Sequence, residues 1–426
     1  MPEPQSEPDS PSSGGTTGWA AFRYPDFTLL FIVRILNGMG SVMLQLAISW
    51  EIWRITRDEW TLGMIGLVQF APNLVFFLAA GTTADRFVRQ YVMAVSYLLL
   101  TISALLLYLV FSAETPEIWH AFWILIAVGI GRTFSQPAQQ SLVPNVVPPE
   151  HFPNAVAWGS SAQQLSTVIG PVLGGALLLL GATTVFLTVA AGYALSVVLM
   201  LMVRTRVQAK PKGSVTLDSL FAGMRYIYHR QIILGGITLD LFAVIFGTVN
   251  ALLPVFATDV LNVGELGLGF LRGAHAVGAM VCGLILTHIP VSRHAGRMLL
   301  LSVASYGLFI GVFGFSETLW LSLLALALAG ASDMVSVFIR ATLVQLATPD
   351  EMRGRVAAVH GMCTNASGQL GDSRAGFVAA LIGAPASVVL AAGVTVALAV
   401  AYAVWFPRLR KVDSLTLAEL QDKHGF

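Results

Sequence analysis

Nine ionisable side chains stand inside stretches that are otherwise greasy: Arg34, Arg132, Arg272, Arg340 and Arg374, with Asp240, Asp333, Asp372 and His275. A charge inside a bilayer costs about 3 kcal/mol or more unless it is paired or faces water. Each of the nine therefore needs a reason. Lysine is absent from the set, and a guanidinium suits a planar, bidentate anionic partner better than an ammonium does. The chemistry this predicts is binding of charged groups, and movement of protons, around a water-filled cavity. Enzymatic signatures are missing: there is no His-Glu-x-x-His, no Gly-rich phosphate loop and no Gly-x-Ser-x-Gly. Energy must then come from a gradient, and no cofactor or metal is expected. Cys282 and Cys363 both fall in apolar runs and read as small hydrophobes.

Proton coupling needs a carboxylate that can lose its proton in one conformation and keep it in another. Desolvation and a nearby arginine pull its affinity in opposite directions. Asp240, with Arg340 or Arg34 close by, is the first candidate. Asp333 is the second, being two helical turns from Arg340 on nearly the same face. His275 and Asp372 follow. Arg272 and His275 are three residues apart and share a helix face. Either could partner Asp372, as a packing contact or as an outer gate. The plain alternative for the first group is a structural Asp240–Arg340 ion pair, with Arg34 snorkelling.

The elements that carry these residues are membrane helices. Of 426 residues, 56% are hydrophobic and 11% charged, and the mean hydropathy is +0.75. Soluble domains carry about 25% charged residues, so lipid is the solvent for most of this chain. Net charge is +1, and no basic cluster with interleaved aromatics suggests nucleic acid. A spanning helix needs about 20 apolar residues. By that ruler there are twelve, at 27–53, 60–81, 91–112, 119–141, 154–181, 183–203, 232–258, 264–289, 298–316, 319–346, 355–382 and 385–406. Residues 1–22 and 411–426 read as polar tails, the first disordered. Residues 205–231 form a linker between bundles 23–204 and 232–410, and Ser219–Tyr228 in it has the spacing of a surface helix.

Loop charge sets the orientation. The connections after helices 2, 6, 8 and 10, with the two tails, hold seventeen basic residues, and the opposite loops hold only Arg54 and Arg57. Both termini are therefore expected in the cytoplasm. At 1.5 Å per residue, Arg34, Asp240, Arg132 and Arg340 then fall roughly 9–14 Å from the cytoplasmic edge. Asn37 shares the face of Arg34. The halves also repeat: Pro149-Glu150-His151-Phe152 matches Pro349-Asp350-Glu351-Met352, and Val156-Ala157 matches Val356-Ala357, at the same offset of 200 residues. A duplicated six-helix unit implies a site between the halves near the midplane.

Motifs carry a family resemblance. Gly81-Thr82-Thr83-Ala84-Asp85-Arg86-Phe87-Val88-Arg89-Gln90 reads as a polar hinge between two apolar runs. It resembles the loop after the second helix of major facilitator superfamily transporters, with Val88 where glycine is usual and Gln90 where lysine is common. Gly170-Pro171-Val172-Leu173-Gly174-Gly175 resembles the end of that superfamily's antiporter motif, with Ala157 and Ser166 in place of upstream glycines. Phe22-Arg23-Tyr24-Pro25-Asp26-Phe27 and Ala347-Thr348-Pro349-Asp350-Glu351-Met352-Arg353-Gly354-Arg355-Val356 look like bacterial exporters of the enterobactin-exporter type.

The resemblance implies an all-α integral membrane protein of two pseudo-symmetric six-helix bundles. It also implies that helices 1, 4, 7 and 10 line a cavity holding Arg34, Asn37, Arg132, Asp240 and Arg340. Gating falls to Gly81, Asp85, Arg86, Arg89, Gly170, Pro171, Gly174, Gly175, Arg272 and Asp372. The expected function is proton-coupled efflux of small organic compounds, anionic or amphiphilic, by a monomer in a bacterial inner membrane. A proton symporter, a lipid-type flippase, a non-transporting receptor and an intramembrane enzyme are the rivals.

Overall fold

A computed structural model of the chain describes residues 18–204, 217–289 and 293–413. Among these residues every regular element is helical, as the apolar runs require: in lipid a backbone must satisfy its own polar groups. The first half holds α1 (Pro25–Thr56), α2 (Glu59–Arg86), α3 (Arg89–Ser112), α4 (Ile118–Val146), α5 (Phe152–Leu178) and α6 (Ala182–Met202). The amphipathic α7 (Leu217–His229) follows, then α8 (Gln231–Gly247) and a short α9 (Leu253–Val255). The rest comprises α10 (Gly264–His288), α11 (Ala295–Gly314), α12 (Leu319–Leu346), α13 (Asp350–Ile382), α14 (Ala384–Trp405) and the one-turn α15 (Pro407–Arg410).

Among the described residues ten spans are long and apolar enough to cross a membrane, α8 and α9 being counted as one span through Val260. The two other long helices, α5 and α13, have 27 and 33 residues and are more polar. Both lie on the seam between the halves, where polar side chains can escape lipid. Within the halves α3 packs on α6 and α1 on α5 and α6, as α11 packs on α14 and α10 on α12. Between the halves α5 meets α10 and α2 meets α13. The repeat extends to the turns: Gly181 (φ 100°) and Gly383 (φ 83°) each join the last two helices of a half in a backbone region closed to other residues.

Several boundaries differ from the sequence reading. The hinge at 81–90 shrinks to Phe87 and Val88, because α2 continues through Gly81 and Asp85 to Arg86. A helical backbone satisfies its own hydrogen bonds, so a few polar residues do not end it. The seventh span is broken: α8 stops at Gly247, Asn250–Leu252 is a 3-10 turn, and Phe256–Val260 is a π-turn. The carbonyls freed by the break find donors. Arg374 donates to those of Ile245 (3.1 Å), Phe246 (2.8 Å) and Thr248 (3.0 Å), and the Tyr306 hydroxyl donates to that of Gly247 at 3.0 Å. Arg374 is thus the cap of a helix C-terminus, where its charge also suits the dipole.

The expected tails and linker fall mainly on 1–17, 205–216 and 414–426, outside the described residues. Residues 18–22 are ordered, against the expectation for that tail. Trp19 and Phe22 pack on Trp158, whose indole donates to the Gly18 carbonyl at 2.8 Å. The surface helix in the linker packs on α13: Gly223 lies against the Arg355 backbone, and the Tyr226 hydroxyl donates to the Ala347 carbonyl at 3.4 Å.

Candidate functional site

Arg86, Arg89, Arg204, Arg297 and Arg408 mark one end of the bundle as its basic face. A polar chamber opens there between the two halves. Its mouth is lined by Phe77, Gly81, Gln140 and Gly361. Its middle is lined by Asn37, Gln69, Arg132, Gln163 and Gln369, and has a cavity volume of about 240 Å³. Its floor is lined by Gln45, Asn250, Arg272 and Asp372. Adjoining stretches share lining residues, among them Asn73, Gln69 and Arg272, so they stack one above another between the halves. Gln136, Gln163, Thr364 and Asn365 are solvent-exposed in mid-helix, which only an aqueous interior allows.

The opposite face is shut. A Cβ on Gly175 would lie 2.9 Å from the Gly269 Cα, and one on Gly66 would lie 2.5 Å from the Gln369 carbonyl oxygen. Glycine at these positions lets α5 meet α10, and α2 meet α13, backbone to backbone. Polar and aromatic contacts finish the closure. Arg57 pairs with Asp259 at 2.7 Å, the Trp53 indole donates to the Thr258 hydroxyl at 2.8 Å, and Trp60 packs at a tilt on Phe377 with centroids 4.3 Å apart. The segment Gly170–Gly175 serves two neighbours: Gly170 and Gly174 face Val42 and Met43 of α1, while Pro171 and Gly175 face Gly269 of α10.

The charged residues divide into separate clusters instead of one layer. Asp240 and Arg340 form an ion pair at 2.7 Å and are 2% and 4% exposed. Thr364 donates to the second oxygen of Asp240 at 3.3 Å, His360 stands 3.9 Å from it, and Ser336 accepts from Arg340 at 3.1 Å. Neither Asp240 nor Arg340 lines the chamber, contrary to expectation. Each supplies the other's counter-charge, so packed helices can hold them without water. Arg34 does not line it either: its guanidinium lies over Gly159, in room that a side chain there would fill. Asn37 does line it.

Arg132 projects into the chamber on neutral partners alone. It donates to the Gln69 amide oxygen at 2.9 Å and to the Ser41 carbonyl at 3.1 Å, and Gln69 in turn donates to Gln45 at 3.0 Å. Arg272 and Asp372 face the floor together without closing an ion pair among the described residues. His275 turns away from them, its ring 6.3 Å from that of Tyr306. Asp333 is half-buried and forms no ion pair with Arg340, which is taken by Asp240. At the basic face Arg86 is exposed, while Arg89 donates to the Ser141 carbonyl at 2.8 Å. Asp85 is half-buried in the last turn of α2.

Sequence reasoning missed His360, Thr364 and the amides other than Asn37. The signal for the amides was available, since Asn and Gln inside spans are as much out of place in hydrocarbon as the arginines. Arg57 and Asp259 had no such signal: they read as loop residues, and only the fold brings them together.

The family model for transmembrane secretion effectors matches residues 16–424. The chain is 26% identical over 341 residues to the enterobactin exporter EntS of Shigella boydii serotype 18, covering 78% of this chain and 80% of that one. Identity and coverage are the same for EntS of Escherichia coli O81. Among solved structures, a bacterial homologue of the human lysosomal transporter Spinster, inward-facing and unoccupied, superposes with a TM-score of 0.71 at 15% identity. The match covers 91% of this chain and 98% of that one. A bacterial homologue of the iron transporter ferroportin in an inward-facing state gives 0.67 at 17% identity, covering 91% and 99%. Those two likenesses establish the fold, a two-bundle major facilitator fold. With the family match over almost its whole length, the chain belongs to the transmembrane secretion effectors, a family of multi-pass membrane transporters.

Proposed function

We propose that the protein is a secondary active transporter that exports small organic compounds, anionic or amphiphilic, in exchange for protons. The observation that carries this reading is the chamber: a polar space between two bundles, open at one face and shut at the other by contacts that rigid bodies can make and break. In this reading residues 23–204 rock against 232–410 around the chamber. The basic face lies in the cytoplasm of a bacterial inner membrane with both termini, so the conformation described is inward-open. A monomer contains the whole path. Export, as opposed to uptake, is supported by the relatives named as enterobactin exporters.

Asp240 is the leading proton carrier. It is held at once by Arg340 of α12 and Thr364 of α13, so a shift of α13 changes what the carboxylate touches. Asp333, His275 and Asp372 stand behind it. Gly81, Asp85, Arg86 and Arg89 act at the basic-face gate. Gly170, Pro171, Gly174 and Gly175, with Arg272 and Asp372 at the chamber floor, act at the opposite one. A thermal-shift screen of purified protein against siderophores, macrolides and dyes would supply a ligand. Proteoliposomes loaded with a pH-sensitive dye then test the coupling. Ligand running into the vesicles makes the lumen alkaline under proton exchange and acid under symport, and an unchanged lumen contradicts proton coupling.

A further inference from the structure

We infer that the chamber is built for a hydrophilic organic monoanion: one carboxylate or similarly compact oxyanion, on a body rich in amide and hydroxyl groups. The inference rests on the reading of this chamber as the transport site.

Charge comes first. Three of the five membrane-embedded arginines are accounted for elsewhere: Arg340 by Asp240, Arg374 by the end of α8, and Arg34 by its seat over Gly159. Among the described residues Arg132 and Arg272 are the two cations lining the chamber, and Asp372 is the one carboxylate. Arg132 has only neutral partners, the Gln69 amide oxygen and the Ser41 carbonyl. Two cations face one anion in a space walled by low-dielectric helices, where an unbalanced charge is felt strongly. One anionic group on the ligand restores the balance. A cationic ligand worsens it.

The uncharged lining sets the rest of the ligand. Asn37, Asn73, Gln136, Gln163 and Asn365 all face the chamber, and every primary amide brings two donors and an acceptor. Gln139 and Gln369 add two more amides to the same lining. A ligand carrying both carbonyls and N–H or O–H groups satisfies them together. A flat apolar one leaves them unpaired, which is what makes such sites selective. Phe77 is the one aromatic ring among the described lining residues, so no aromatic cage for a lipophilic cation is built here.

The test uses full-length protein in lipid nanodiscs and calorimetric titration with four probes: N-acetyl-triserine, its C-terminal carboxamide, the cationic triserine amide, and tetraphenylphosphonium. The carboxylate is expected to bind tenfold or more tightly than the carboxamide, since one charge-assisted contact separates them. Neither cation should bind in competition with it. Arg132→Gln should bring carboxylate and carboxamide to equal affinity, and Arg132→Lys should restore part of the difference. Equal or tighter binding of the carboxamide or of either cation to the native protein overturns the proposal, as does no saturable binding of the carboxylate. Vesicle uptake of the same probes separates the two claims. If tetraphenylphosphonium is carried and the carboxylate is not bound, the ligand class falls and transport stands. If the carboxylate is bound through Arg132 yet never carried, the ligand class stands and transport falls.

Discussion

Adding one methyl group at the closed seam should tilt the balance between conformations. A Cβ on Gly269 would stand 2.6 Å from the Pro171 carbonyl oxygen and 3.1 Å from the Gly175 Cα. Carbon and carbonyl oxygen settle at about 3.3–3.6 Å, so Gly269→Ala forces α5 and α10 apart by roughly 0.7 Å or more. Overpacking of this kind costs about 1–3 kcal/mol. The strain exists only while the seam is shut, so the whole penalty falls on that conformer. The ratio of closed to open seam should then drop by about 5- to 150-fold. The assay is pulsed electron–electron resonance between spin labels at Leu180→Cys and Leu381→Cys, in a background where Cys282 and Cys363 are replaced by serine. Both label sites are exposed, at 71% and 81%, and lie on the closed face in different halves. Gly269→Ala should add or enlarge a longer-distance population. If the distances stay unchanged while the melting temperature drops, the glycine contact is only packing and the two-state reasoning is refuted.

Asp240→Asn leaves Arg340 buried without its counter-charge, a change that costs about 3–5 kcal/mol. The melting temperature should fall, and proton-coupled flux should vanish while ligand binding persists; unchanged coupling would remove Asp240 from the role. Arg374→Met strips donors from three carbonyls at the end of α8, and at about 1–3 kcal/mol for each unsatisfied group it should lower the thermal stability clearly more than Arg86→Met, whose side chain is exposed. Arg57→Ala breaks an ion pair whose side chains are 54% and 46% exposed. Such a pair is worth about 1 kcal/mol or less, so denaturant or thermal unfolding should barely register the change, and a large loss would mean that the pair supports the fold.

The sequence exposes best what lipid makes expensive. Arg132, Arg340 and Asp240 stand out because a charge in a greasy run has few explanations, and apolar runs divide the chain because a spanning helix must face lipid. Which charge meets which is another matter. Helical spacing put Arg34 and Asp240 at similar depth, but depth does not say which way a side chain turns, and Asp240 turned to Arg340 while Arg34 turned to Gly159. His275 and Arg272 share a face by spacing. The wide arc of a helix face let one look toward Tyr306 and the other into the chamber. The break after Gly247 was hidden inside a uniformly apolar run, since the residue that makes it tolerable, Arg374, is more than 120 positions away. The seam glycines are the converse case: Gly170-Pro171 and Gly174-Gly175 were visible as a motif, but their partner Gly269 was one glycine among forty.

The most direct test is whether the chamber is reached from one face at a time. Asn365→Cys, in the same cysteine-free background, places a thiol at an exposed chamber position. Its reaction rate with a membrane-impermeant maleimide is measured in right-side-out and inverted vesicles. A short, charged, membrane-impermeant bis-thiosulfonate linker between Arg57→Cys and Asp259→Cys, applied from the opposite face alone before the maleimide so that the chamber thiol stays free, holds that face shut. The linked protein should react only from the basic face, and the unlinked protein carrying Gly269→Ala should react from both. Reaction of the linked protein from the opposite face, or from neither face, would contradict an alternating chamber.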